Sequence, residues 1–202
     1  MLDMYWVQRD LNGLGYDCGV ADGIYGSKTK NATINFQKDF ALSPDGIPGE
    51  QTSSKLMYIV RKCQEILGAA VDGYWGDETE AKYQNFNNIK YFKREEFYCK
   101  CGCGSGRIDI RLVKILDDIR EHYGSPAVVT SGVRCPSHNK RVGGVSNSWH
   151  LNYHNKATDF YIQGIGSGEL NRYCSVLRDQ GVLRYCYAID GSAVHIDIGG
   201  VM

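Results

Sequence analysis

Three copies of Asp-Gly-x-x-Gly stand within the first 76 residues: Asp22-Gly23-x-x-Gly26, Asp45-Gly46-x-x-Gly49 and Asp72-Gly73-x-x-Gly76. No other feature restricts the fold of this chain as much. Glycine at the second position permits positive φ, so each copy specifies a tight turn. Recurrence of the turn means that one small supersecondary unit is used more than once. The segments Val7–Gln37 and Val60–Asn87 can be laid over one another. Val7 to Gly15 matches Val60 to Gly68 in spacing, and Gly26 to Phe36 and Gly76 to Phe86 are both ten apart. The loop before the aspartate is three residues shorter in the second segment.

Each segment reads as helix, turn, helix. Ser27 and Asp77 stand where a helix wants an N-cap, and Thr29 and Thr79 follow in the first turn. Apolar residues then recur at helical spacing, Ala32, Phe36 and Phe40 in one copy and Tyr83 and Phe86 in the other. An all-α domain over residues 1–90 is expected. With Phe36-Gln37 closing the helix between two such turns, residues 7–56 resemble the peptidoglycan-binding domain of bacterial and phage cell-wall hydrolases. Residues 60–88 carry the first half of that pattern, as a partial second repeat. The resemblance implies bacterial peptidoglycan as partner. Tyr25, Tyr74 and Trp75 at the turns read either as sugar-stacking or as packing residues.

From about Tyr91 the texture changes. The segment Asp109–Gly124 is an amphipathic helix with Leu112, Val113, Ile115, Leu116 and Ile119 on its apolar side and Gly124 as its stop. Pro126–Gly132 reads as a buried strand. Lys156–Ile162 alternates, with Ala157, Asp159 and Tyr161 on one side and Thr158, Phe160 and Ile162 on the other. A helix follows from Ser167, its cap, to Gly181, and then two strands, Val182–Ile189 and Ala193–Gly200. Helices and strands mix without strict alternation, so residues 91–202 are expected to form an α+β domain with a largely antiparallel sheet.

Two strand residues in this half are costly where they stand. Asp159 and His195 sit among apolar neighbours, and a strand aspartate in such company needs a cation or a metal. A catalytic zinc ion takes about three imidazole or carboxylate ligands and leaves one position open. A histidine just before Asp159 would complete the set, and two are available, His150 and His154.

Ser148-Trp149-His150, Ala157-Thr158-Asp159 and Val194-His195-Ile196-Asp197 resemble, in order, the motifs of the zinc D-alanyl-D-alanine carboxypeptidase family. Ser131–Gly144, with Arg134, Cys135 and His138, resembles the segment upstream of them. The resemblance covers residues 91–200. It implies Zn2+ on His150, Asp159 and His195, and hydrolysis of peptide bonds in peptidoglycan stem peptides or cross-links, by carboxypeptidase, D,D-endopeptidase or L-Ala-D-Glu endopeptidase action. The family has seven positions from histidine to aspartate with a glycine between. Here there are nine, Asn155 stands near the glycine's place, and His154 becomes an alternative ligand. Arg134 resembles the family's substrate-carboxylate arginine, with a surface ion pair as its plain reading. Ser148 either contacts substrate or caps its loop. The acidic residue expected three before the last histidine is replaced by Ser192. Asp197 is then the candidate base or a partner behind the metal ligand, and Asp190 the alternative base. His122 and His138 read as structural.

Lys plus Arg number 23, as do Asp plus Glu. That balance argues against a nucleic-acid binder. No apolar run reaches membrane-spanning length, and the first residues lack the basic-then-apolar order of a secretory signal. The expectation is a monomer made in a cytoplasm and acting on the cell wall, as a phage endolysin does. The other reading is a wall-binding protein whose metal site is only structural. Of eight cysteines, Cys99, Cys101 and Cys103 cluster, and with Cys135 they stay open as buried thiols, a disulfide or a second metal site; C-x-C departs from the usual C-x-x-C knuckle.

Overall fold

The computed structural model describes residues 3–189, 191 and 193–200. The chain divides into two compact units, Met1–Asn88 and Ile89–Met202.

The first unit is all-α: α1 (Met4–Gly13), α2 (Ser27–Asp39), α3 (Glu50–Leu67) and α4 (Asp77–Gln84). Val7, Leu11, Phe36, Leu56, Ile59, Val60 and Leu67 form its fully buried core. The three Asp-Gly turns lead into α2, α3 and α4, and their glycines at 23, 46 and 73 all have φ near +80°. Each turn is held by a buried glutamine. Gln37 Nε2 donates to Asp45 Oδ1 (2.9 Å), to the Ile47 carbonyl (3.1 Å) and to Thr52 Oγ1 (3.1 Å), while its Oε1 accepts from Gly46 N (2.8 Å). Gln64 repeats the pattern on Asp72 (2.8 Å), Tyr74 (2.9 Å), Thr79 (3.1 Å) and Gly73 N (2.9 Å). Gln8 does so on Asp22 (3.0 Å), Ile24 (3.1 Å), Thr29 (3.2 Å) and Gly23 N (2.7 Å).

These clamps explain two departures from expectation. Ser27 and Asp77 do not cap their helices; each is the first helical residue, the caps are Gly26 and Gly76, and neither makes a side-chain cap bond. The glutamine clamp fixes the helix entry instead, through the threonine of the first turn. Trp75 is a packing residue: it is 2% exposed, and a Cβ on Gly13 would lie 2.2 Å from its ring. Asp10 Oδ1 accepts a hydrogen bond from Trp75 N (2.7 Å), tying α1 to the third turn. Tyr25 is partly exposed and donates its hydroxyl to the Gly46 carbonyl (2.6 Å). Tyr74 packs on Trp6, with ring centres 5.2 Å apart, and both line a groove of about 580 Å³ with Asp3, Glu50, Ser53, Ser54 and Met57.

The second unit is α+β. It contains a 3₁₀ turn (Arg94–Phe97), α5 (Ile110–Tyr123), β1 (Ala127–Ser131), α6 (Pro136–Arg141), β2 (Ala157–Ile162), α7 (Ser167–Asp179), β3 (Tyr185–Ala188) and β4 (Val194–Asp197). The strands make one sheet in the order β1-β2-β4-β3, every pairing antiparallel. β4 is buried throughout and β2 at every position but Tyr161, as central strands covered on both faces should be. Asp109 caps α5 by accepting from Arg111 N (3.0 Å), and Gly124 ends it in the left-handed conformation. Ser167, expected as a cap, is instead the first residue of α7, which Gly166 caps. The six-residue α6 has no counterpart in the hydrophobic pattern of the sequence; Pro136 at its start and Cys135 as its cap define it.

Candidate metal centre

Strand register creates the core of the site. Asp159 on β2 stands directly opposite His195 on β4. Side chains so paired share a face and start about 4.5–5.5 Å apart at Cβ. His195 Nδ1 lies 2.7 Å from Asp159 Oδ1.

His150 reaches the same point from the loop between α6 and β2. Arg134 N donates to the His150 carbonyl (2.7 Å), and Asn152 N donates to the Arg134 carbonyl (3.0 Å), forming a short bridge between Arg134 and Leu151. Ser148 Oγ accepts from His150 N (3.3 Å), which is the loop-capping contact of the two roles open to it. Asn155, with φ of +52°, turns the chain back into β2. Asparagine is among the few residues other than glycine that adopt this conformation readily. His150 Nε2 comes within 3.1 Å of Asp159 Oδ1 and 3.2 Å of His195 Nδ1. All three side chains are buried.

The far side of each ring decides what this point wants. His150 Nδ1 lies 2.7 Å from the Gly132 carbonyl, to which only an N–H can donate. His195 Nε2 lies 3.4 Å from Asp197 Oδ2, again an acceptor. With those nitrogens protonated, His150 Nε2 and His195 Nδ1 both turn lone pairs toward Asp159 Oδ1. Three electron-rich atoms thus meet in a buried place, and only a cation or extra protons can satisfy them. Tetrahedral zinc, with bonds of about 2.0–2.1 Å to N and O, sets ligand atoms about 3.3 Å apart, close to the spacing found. The residues fit the metal that the sequence implies.

The electrostatics agree. With protons in place of a cation, burial alone would push the Asp159 carboxyl up, but hydrogen bonds from the then-protonated nitrogens of His150 and His195 hold it well below the usual carboxylate range. Burial likewise opposes a charge on His195, yet Asp159 and Asp197 raise its affinity for a positive charge above the ordinary histidine value.

Around this trio the remaining residues take distinct places. Asp197 is 1% exposed, and both its oxygens meet Arg184, at 2.6 and 2.7 Å. The Arg184 guanidinium also lies 5.1 Å from the Trp149 ring centre. Arg134 bridges Asp159 Oδ2 and Ser131 Oγ, the latter at 2.8 Å. His154 lies apart from the trio, packed against Trp149 and Tyr153 with ring centres 4.7 and 4.8 Å away. His122 stacks on Tyr173 (4.1 Å). Asp190 and Ser192 lie outside the described residues.

One feature escaped the sequence. Tyr187, partly exposed on β3 opposite His195 in register, stacks on that histidine with ring centres 4.8 Å apart. Its signal was the Tyr-x-Tyr alternation of β3, which identifies an outward face but not its neighbour. The clustered cysteines form no disulfide among the described residues, and the Sγ atoms of Cys99, Cys101, Cys103 and Cys135 lie within 4.8 Å of one another.

Comparison with known proteins adds an independent line. Residues 90–197 match the family model described as Peptidase M15. Residues 2–56 match the model of a peptidoglycan binding domain. A 57-residue stretch is 35% identical to the N-acetylmuramoyl-L-alanine amidase CwlM of Mycobacterium tuberculosis, a match covering 28% of this chain and 14% of that protein.

Proposed function

The chain belongs to the peptidase M15 family, and from that membership we propose that it is a zinc-dependent peptidase that cleaves stem peptides or cross-links of bacterial peptidoglycan, with the first unit as its wall-binding module. The observation that carries this reading is the convergence of His150 Nε2, Asp159 Oδ1 and His195 Nδ1 on one buried point. The match of residues 2–56 to a peptidoglycan binding domain supports the choice of substrate.

In this reading His150, Asp159 and His195 hold the zinc ion. Bound there, zinc would bring the pKa of a coordinated water down to about 7 and polarise the scissile carbonyl. The Gly132 carbonyl and Asp197 fix the tautomers and planes of the two imidazoles. Asp197, with both oxygens engaged by Arg184, is assigned this positioning role rather than that of the base. Arg134 stands at the metal ligands, paired with Asp159 and with 15% of its side chain still exposed, and its planar fork suits a substrate carboxylate. Tyr187 covers the His195 ring by stacking on it. Asp190, five residues before His195, is the carboxylate we assign to proton transfer.

The test is loss of turbidity of purified cell walls with and without a chelator, followed by zinc restoration. Clearing that stops on chelation and returns with zinc supports the proposal. Clearing that ignores the chelator removes zinc from it, and no clearing by zinc-loaded protein leaves a wall-binding protein with a structural ion. Mass spectrometry of the released fragments separates carboxypeptidase, D,D-endopeptidase and L-Ala-D-Glu endopeptidase action. Asp190→Asn should lower kcat while the zinc content holds; an unchanged kcat would take the proton-transfer role from it.

A further inference from the structure

The second unit contains another convergence of metal-binding atoms, unrelated to the histidine site. Cys99 Sγ and Cys101 Sγ are 3.3 Å apart, Cys101 Sγ and Cys135 Sγ 3.7 Å, and with Cys103 all four sulfurs fall within 4.8 Å of one another. These spacings are far from the roughly 2.05 Å of a disulfide bond. They are close to the about 3.8 Å edge of a tetrahedron built from metal–sulfur bonds of about 2.3 Å.

The backbone is arranged to make this possible despite the C-x-C spacing. Cys99–Gly102 is a tight turn closed by Gly102 N donating to the Cys99 carbonyl (3.1 Å). Gly102 and Gly104 have φ of +78° and +81°. A glycine on the far side of each of Cys101 and Cys103 lets the chain curl, so that alternate cysteines face a common point instead of opposite sides. The fourth sulfur arrives from a distant part of the chain, at the residue that caps α6.

N–H groups are aimed at two of the four sulfurs, those of Cys99 and Cys135. Cys135 N points at Cys99 Sγ (3.4 Å), and His138 N points at Cys135 Sγ (3.4 Å). His138 Nδ1 lies 3.1 Å from Cys99 Sγ, placed to donate its ring N–H. Four sulfurs drawn to one point, two of them accepting N–H bonds, form a donor set that suits a soft cation. Cys101 and Cys103 are exposed, which gives such an ion a route in.

We propose that Cys99, Cys101, Cys103 and Cys135 bind a second ion, a thiophilic divalent cation of which zinc is the biological default, in a closed four-thiolate site with a structural role. Its function is to fasten the Cys99–Cys103 loop to the segment that carries Arg134. That segment already meets the preceding 3₁₀ turn tightly: Val133 N donates to the Phe97 carbonyl (2.9 Å), and a Cβ on Gly132 would lie 2.4 Å from the same oxygen. The site does not depend on the peptidase reading, since it shares no ligand with the histidine centre.

Metal analysis of full-length protein produced with zinc tests it. Wild type should contain two ions per chain. Cys101→Ser/Cys103→Ser, at two exposed positions, should retain one, and His150→Ala/His195→Ala should also retain one. In cobalt-loaded protein, thiolate-to-metal charge-transfer absorption should survive the histidine changes and vanish with the cysteine changes. Alkylation mapped by mass spectrometry gives an independent readout: the four cysteines should be protected until a chelator is added. A single ion in the wild type that is lost in the histidine variant, four freely alkylated cysteines, or a disulfide among them would overturn the proposal.

Discussion

His150 and His154 differ by one turn of loop, yet only one of them meets Asp159. The difference lies in the backbone: the bridge to Arg134 and the Gly132 carbonyl orient His150 inward, while His154 packs on Trp149 and Tyr153. His150→Ala should therefore remove zinc from the histidine site, and His154→Ala should leave the zinc content unchanged. Metal analysis of the two variants checks this, with the cysteine site as an internal constant. Asp197 acts one bond further out. Asp197→Asn keeps the shape but loses the charge that faces His195 Nε2 and Arg184, and it should weaken zinc binding by about 10–100-fold in a competition titration. Far from either site, Asp10 is fully buried with Oδ2 unpartnered among the described residues. Burial pushes its carboxyl up to about 7, against the lowering effect of the Trp75 N–H. The folded state then holds a proton that the unfolded state releases near pH 4. Stability from this group is present at acid pH and lost as pH rises from about 4 to 7. Asp10→Asn should remove that fall, with a difference between the two proteins reaching at most roughly 4 kcal/mol above pH 7. Urea unfolding at several pH values measures it.

Among the elements, helices with a clear apolar stripe and a glycine stop were legible from the sequence, α5 above all, because period and cap agree. The strand pair bearing Asp159 and His195 was legible because a charged residue in an apolar strand demands a partner. Helix α6 was not, since six residues give no period and its cap is a cysteine. Nor was the glutamine clamp. Laying Val7 over Val60 aligns the hydrophobic positions but not Gln8 with Gln64, which stand 14 and 8 residues before their aspartates. Gln37 and Gln64 do share one spacing, each standing eight residues before its aspartate, but Gln8 departs from it and laying Val7 over Val60 hides the match. The clamp is nonetheless the element that makes three turns alike. Gln64→Ala would strip partners from Asp72, Gly73, Tyr74 and Thr79 together. At about 1 kcal/mol per hydrogen bond, partly offset by water at the exposed turn, a loss of roughly 2–4 kcal/mol is expected. A change of only a few tenths in thermal or urea unfolding would show that the turn stands without it.

At the scale of the molecule, each unit has its own core and its own logic, one of repeated turns and one of a central strand pair. The peptidoglycan-binding reading belongs to the first unit alone. Residues 1–88 by themselves should co-sediment with purified walls, and residues 89–202 should keep both metal sites while binding walls more weakly. Failure of residues 1–88 to sediment would detach wall binding from the repeat. Residues 1–88 carry 12 acidic and 8 basic side chains, so no excess of positive charge draws this unit to the wall, and salt should weaken its sedimentation little.

Gly132 has consequences out of proportion to its size. Its carbonyl steers one imidazole, and the space where its side chain would be is filled by the main chain at Phe97. A single methyl there would have to displace either the wall that the cysteines hold or the ring that the carbonyl aims. Affinity for an ion several bonds away is thereby written into the gap between two stretches of main chain, and evolution can retune it without touching a ligand.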